Sequence, residues 1–306
     1  MTPPARHLAI VGATASGKSA LALELARRVP DLELVSVDAM GVYRGMDIGT
    51  AKPTPAEQAE VAHHLLDVAD PAEDFSVAHF QAAARRALAG IEARGRRAVL
   101  VGGTGLYVRA VVDDLTLPGR YPEARAEVEA EPDTAVLHRR LHELDPLAAS
   151  RMEASNRRRV VRALEVTLGA GRAFSSFGPG LVAYPPSPIA QVGLRLAPEA
   201  LDARIAARLE AMMGAGLLDE VRGLAARPGG LSRTARQALG YRELLAYVED
   251  QLPLDEAVAE TLRRTRRFAR RQLRWFRRDP RIAWHDVGDN PLALVPDLLG
   301  DWLPCT

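Results

Sequence analysis

Apolar positions along the chain follow two rhythms. A short unbroken apolar run, His7 to Val11, predicts a buried strand, and beyond a glycine-containing loop a helix is expected from about Lys18 to Val29. Glu33 to Asp38 (ELVSVD) predicts a second strand. Asp70 to Arg94 contains a long amphipathic helix. Ser76 suits its N-cap, because a hydroxyl there accepts from a free N–H of the first turn. Ala98 to Val101 is a further apolar strand, ending at Gly102-Gly103. Strands alternating with helices imply a parallel sheet with right-handed crossovers.

The rhythm changes near Asp113. From there to about Pro188 the expected helices are short and punctuated by Pro and Gly, with helices at Asp133 to Leu144 and Arg157 to Leu168. Gly178 to Pro188 (GPGLVAYPPSP) reads as a linker. Gln191 to Leu196 returns as a strand; helices are expected over Pro198 to Ala226, Thr234 to Glu249 and Asp255 to Arg278, then a late strand at Ile282 to Val287. The expected fold class is α/β: a P-loop NTPase-like parallel sheet core, residues 1–112 and 189–306, interrupted by a small all-helical insertion domain at 113–188.

Composition narrows the class. With 47% hydrophobic and 26% charged residues, disorder, collagen-like repeats and coiled coil are excluded as the main architecture. The single cysteine, Cys305, excludes an internal disulfide and a thiolate zinc cluster. The N-terminal apolar run breaks at glycine after a few residues, so no signal peptide or membrane span is expected, and the reading is a soluble cytoplasmic protein. The net charge of +1 does not suggest nucleic acid, but its distribution does: Leu262 to Arg278 (LRRTRRFARRQLRWFRR) holds nine arginines and no acid. Of the 40 basic residues only Lys18 and Lys52 are lysines.

Lys18 falls in the strongest local motif. Gly12-Ala13-Thr14-Ala15-Ser16-Gly17-Lys18-Ser19 fits G-x-x-x-x-G-K-[ST] between an expected strand and an expected helix. Small residues let several N–H groups converge on one anion, and the helix N-terminus adds its positive dipole end. Lys18 supplies a positive charge for phosphate, and the Ser19 hydroxyl can ligate Mg²⁺. The loop specifies a phosphate chain rather than a reaction. Nucleotide hydrolases add an apolar strand ending in Asp; here AVLVGGTG ends in glycine, and Asp38 is the available carboxylate. A P-loop kinase acting on a small hydroxyl, and an RNA-binding protein with a structural P-loop, stand as rival readings.

Lys52 lies in a second loop, VDAMGVYRGMDIGTAKP, which leaves the carboxyl end of a strand beside the P-loop, where open α/β sheets bind ligands. With GATASGKS, YRGMDIGTAKP, HHLLDVADP, VGGTGLYVRA, RRRVVRALEV, ARQALGYRE and TRRFARRQLRWFR in order along nearly the whole chain, the sequence strongly resembles the bacterial tRNA dimethylallyltransferases, also called isopentenyl-tRNA transferases.

The resemblance implies a reaction: transfer of a dimethylallyl group from dimethylallyl diphosphate to N6 of the adenine at position 37 of tRNA, with Mg²⁺ assisting and diphosphate leaving. It implies catalytic roles for Asp38, Thr104, Lys18 and Arg236, the last near the diphosphate. It implies tRNA contacts at Asp38, Ala39, Met40, Gly41, Thr104 and Arg125 and along Arg158, Arg159, Val160, Val161 and Arg162. The insertion would grip the anticodon stem-loop of a protein acting as a monomer away from membranes. Where the family often shows D-S-x-Q-x-Y, this chain has Asp38-Ala39-Met40-Gly41-Val42-Tyr43; where it often shows P-N-D, this chain has Ala154-Ser155-Asn156. His138 and His142 have helical spacing but lack a zinc-hydrolase glutamate; His63-His64 reads as a strand end and Trp284 as packing.

Overall fold

The computed structural model describes residues 6–288 and 290–302; Cys305 lies outside them. Six strands form one parallel sheet: β1 (His7–Gly12), β2 (Leu32–Ser36), β3 (His63–His64), β4 (Arg97–Gly102), β5 (Ile189–Arg195) and β6 (Ala283–Asp286), in the order β3-β2-β4-β1-β5-β6. β1 is buried along its whole length, as a central parallel strand covered on both faces must be. Its register pairs Ile10 with Val101 of β4 and with Val192 of β5.

The first half of the chain adds α1 (Lys18–Arg28), α2 (Pro55–Glu60), α3 (Val77–Ala93) and α4 (Gly105–Val112). Local chemistry sets their starts. Ser76 accepts from the His79 N–H, as its sequence position suggested. Thr54 and Glu57 make a capping box ahead of α2, with Pro55 in its first turn, where a missing N–H costs nothing.

Contact density divides the chain into two compact units, Met1–Asp113 with Pro186–Thr306, and Asp114–Pro185. The second holds α5 (Pro122–Glu129), α6 (Thr134–Leu144), α7 (Pro146–Ser150) and α8 (Arg157–Ala170) around its own core of Val128, Leu137, Leu141, Ala148, Ala149, Val160, Val161, Ala163 and Leu164. Burying a side chain such as Leu137 or Leu141 contributes roughly 1.5–3 kcal/mol. Asp133 and Asn156 cap α6 and α8 through their side chains.

The remainder of the larger unit carries α9 (Pro198–Gly214), α10 (Leu217–Ala225), α11 (Tyr241–Val248), α12 (Leu254–Phe276) and α13 (Val295–Trp302). Two expected helices are shorter than the periodicity suggested. Pro198 to Ala226 is broken because Gly216 adopts φ 97°, a left-handed conformation that ends α9 and starts α10. Over Thr234 to Glu249, a 3₁₀ turn at Ala235–Gln237 and Gly240 at φ 86° precede α11, so the regular helix begins only at Tyr241.

Candidate functional site

The site lies in the larger unit, at the carboxyl end of the sheet. Ala15 (φ 61°) and Gly17 (φ 93°) give the loop between β1 and α1 the left-handed backbone turns on which anion-binding loops are built. Lys18 is buried, and its ammonium donates to the Ala13 carbonyl. Burial first, and the neighbouring Arg208 guanidinium second, lower its pKa from 10.5 to about 7, with Asp38 opposing them. Ser19 is exposed and lines the cavity in front of the loop. The Ser16 hydroxyl is buried without a hydrogen-bond partner among the described residues.

Asp38 stands two residues beyond β2, half-buried. Its Oδ1 accepts from the Met40 N–H at 2.7 Å and the Gly41 N–H at 3.2 Å, an Asx turn that holds the carboxylate in place. The Thr104 hydroxyl accepts from the Ala39 N–H at 3.3 Å. The strand that ends in glycine does so for a steric reason: a Cβ on Gly102 would lie 2.0 Å from the Val37 carbonyl oxygen, leaving no space there for a carboxylate.

Two cavities open on these groups. One of about 540 Å³ is lined by Asp38, Ala39, Met40 and Thr104 and by Arg263, Arg264, Arg267 and Arg271 of α12. The other, of about 1060 Å³, is lined by Lys18, Ser19 and Gly41 and by loop residues 47–55 other than Gly49. Thr14, Ala15, Asp38, Thr50, Arg208, Met212 and Phe268 line both, so Asp38 stands on the wall the two cavities share.

Arg236 is not at this wall. It is exposed and pairs with Glu249, although Gln237 and Ala238 beside it line the smaller cavity. The guanidinium near the phosphate loop belongs instead to Arg208 of α9, which donates to the Thr14 hydroxyl at 3.3 Å. Burial lowers the Arg208 pKa, with Asp38 opposing. One signal for it exists in the sequence: Arg208 falls seven residues after Leu201 and four before Met212, on the helix face that also buries Ile205 and Leu209.

Lys52 is spent on architecture. Its side chain is 3% exposed, and its ammonium meets the Tyr43 carbonyl at 2.6 Å, Asp47 at 2.7 Å and Asp67. Three donors meet three acceptors, which fixes the loop.

In the helical unit the expected contact residues separate by face. Arg158 and Arg159 are exposed and their side chains make no ion pair among the described residues. Val160 (0% exposed) and Val161 (3%) are core, so their side chains are not presented to RNA: helical spacing turns them inward beside Leu164. Arg162 and Arg125 gather on the buried Glu165 carboxylate, at 2.6 and 3.5 Å. Arg157 donates to the carbonyls of Glu129, Glu131 and Pro132.

On α12, Arg264 pairs with Glu260 and Glu243, and Arg266 and Arg270 with Asp202. Arg267 and Arg271 are exposed and without ion pairs among the described residues. His138 meets the Ala149 carbonyl and His64 meets Glu33; no group of three His, Cys, Asp or Glu fit to hold a metal occurs among the described residues.

A parallel sheet with a glycine-lysine-serine loop feeding a helix defines a P-loop-like α/β protein. The IPP transferase family model matches residues 41–279, and the chain belongs to that family. It is 50% identical over 302 residues to the tRNA dimethylallyltransferase of Kineococcus radiotolerans, covering 95% of each chain. It is 48% identical over 300 residues to that of Streptomyces avermitilis, covering 97% of this chain and 95% of the relative. Among solved structures it resembles the tRNA isopentenylpyrophosphate transferase of Bacillus halodurans, with TM-score 0.71, 38% identity and 97% of each chain covered. The fold also matches a eukaryotic dimethylallyltransferase acting on tRNA, with TM-score 0.76 and 23% identity, over 97% of this chain and 76% of that one.

Proposed function

We propose that the chain is a tRNA dimethylallyltransferase. It transfers a dimethylallyl group from dimethylallyl diphosphate to the exocyclic N6 of adenine 37, releasing diphosphate. The observation that carries this reading is Asp38 on the wall between a cavity holding the phosphate loop and a cavity rimmed by arginines. The diphosphate enters the larger cavity and the adenine, extruded from its stack, the smaller. The N6 lone pair attacks the allylic carbon as its bond to the diphosphate oxygen breaks. Lys18, Arg208 and the loop N–H groups neutralise the charge developing on the leaving group. Asp38 keeps Oδ2 without a hydrogen-bond partner among the described residues, so Oδ2 takes the N6 proton while Oδ1 stays anchored.

The exposed Ser19 hydroxyl beside the cradle would hold Mg²⁺, and no group of three His, Cys, Asp or Glu fit to hold a metal by itself occurs among the described residues. When bound, the ion supplies further charge neutralisation at the diphosphate. Arg158 and Arg159 on the helical unit, and Arg267 and Arg271 at the smaller cavity, supply cations for the anticodon stem-loop phosphates. No helix among the described residues is long and apolar enough to cross a membrane; a cytoplasmic monomer is part of the proposal.

The test supplies labelled dimethylallyl diphosphate, Mg²⁺ and an anticodon stem-loop. Label should reach RNA carrying adenine at position 37 and not RNA carrying guanine there. Phosphate transfer from ATP with no labelled RNA would overturn the reading in favour of a kinase. Asp38→Ala should lower kcat more than RNA affinity.

A further inference from the structure

Gln272 is a buried polar residue of α12 that bridges the two sides of the site. Its Oε1 accepts from the Thr14 N–H at 2.8 Å, and its Nε2 donates to the Gly103 carbonyl at 2.8 Å. Thr14 is part of the phosphate loop. Gly103 immediately precedes Thr104, whose hydroxyl holds the Ala39 N–H beside Asp38. One planar amide, offering an acceptor and a donor on the same group, therefore ties the loop that receives the diphosphate to the segment that carries Asp38 and Thr104.

The fit around this amide leaves no slack. A Cβ on Gly103 would lie 2.3 Å from Gln272 Nε2 and 3.3 Å from its Cδ. Glycine at 103 is what lets the amide reach both partners. On the same helix, Phe268 lines both cavities and Arg271 lines the smaller, so the strut is rooted in an element that already forms the site.

We propose that Gln272 is a positioning residue that holds the Thr14 segment of the phosphate loop in register with the Thr104–Asp38 wall, with Gly103 as the space it requires. The proposal rests on the reading of the loop as a diphosphate site.

The experiment measures inorganic pyrophosphate binding by calorimetry, with Mg²⁺, for the full chain and for Gln272→Ala, Gln272→Met, Gly103→Ala and the double variant Gly103→Ala/Gln272→Ala. Gln272→Met keeps the buried volume and loses both hydrogen bonds. Both Gln272 variants should bind pyrophosphate about tenfold more weakly, the equivalent of one buried hydrogen bond on each side of the amide partly compensated by water. In turnover assays they should raise KM for dimethylallyl diphosphate while leaving the Kd of the stem-loop unchanged, a split that general loosening of the fold would not produce. Gly103→Ala should show the same loss by displacing the amide, and the double variant should be no weaker than Gln272→Ala. Pyrophosphate affinity unchanged in Gln272→Met, or losses that multiply in the double variant, would overturn the strut. Absence of pyrophosphate binding in the unaltered protein would instead overturn the diphosphate reading beneath it.

Discussion

Anion affinity at the phosphate loop should be set by the protonation of Lys18. Burial and then Arg208 bring its pKa from 10.5 to about 7, against the pull of Asp38. At 1.36 kcal/mol per pH unit, holding the ammonium at this buried position costs about 5 kcal/mol. Below pH about 7 the folded protein bears that cost in full; between about 7 and 10.5 the unfolded chain binds more protons, so stability rises with pH. A bound anion reverses the balance, because an opposite charge beside the amine raises its pKa. Binding above pH about 7 must then draw in a proton, and affinity should fall about tenfold per pH unit. Sulfate is the suitable probe, since its own charge is constant across this range. Its Kd, measured at constant ionic strength, should be about tenfold weaker at pH 8.5 than at pH 7.5 and should change little below about pH 6.5. Lys18→Met should bind weakly at every pH, without this slope. A sulfate Kd independent of pH in the unaltered protein, or an equal slope in Lys18→Met, would refute the assignment.

Three further outcomes follow from particular contacts. Arg208→Ala should weaken pyrophosphate binding by about tenfold or more, whereas Arg236→Ala, which breaks only an exposed pair with Glu249, should leave it within about twofold; equal losses would return Arg236 to the site. Arg158→Ala should reduce the salt slope of stem-loop binding by about 1, while Val161→Ala should leave that slope alone and cost the helical unit about 2 kcal/mol in denaturant melts. Glu220→Ala removes the acceptor of the Asp47 (2.9 Å), Ile48 (2.8 Å) and Gly49 (3.3 Å) N–H groups and of the Tyr241 hydroxyl (2.6 Å), and should destabilise the larger unit by about 2–4 kcal/mol, with Tyr241→Phe costing about 1 kcal/mol by the same measurement.

The break between α9 and α10 shows how a local event reaches the site. Gly216 ends one helix and starts the next, which places Glu220 in the first turn of α10, where its charge favours the helix dipole. From there it holds the 47–49 loop, while Lys52 holds the same loop from Tyr43, Asp47 and Asp67. Apolar periodicity runs smoothly through Pro198 to Ala226 and masks that break, since a single glycine changes the backbone without changing the pattern.

The glycine-lysine-serine loop, the second strand (expected over Glu33 to Asp38 and found at Leu32–Ser36), and the GGTG turn that contains Thr104 were legible because each is a run of consecutive residues whose chemistry and backbone needs are local. The alternation of strands with helices, and the shift to short helices after Asp113, likewise belonged to the sequence alone. What only the tertiary structure decided are the meetings between distant segments. Arg208 reaches Thr14 across 194 positions, and Gln272 reaches Thr14 across 258. Arg236, chosen by its motif, turns to Glu249 instead. On α8 adjacent residues divide, Arg158 and Arg159 outward and Val160 and Val161 inward, although one basic stretch contains them all. The physical reason is common to these cases. Residue type and spacing specify which groups a short segment offers, but packing the helices on the sheet determines which of those groups lose water and which partners they then find.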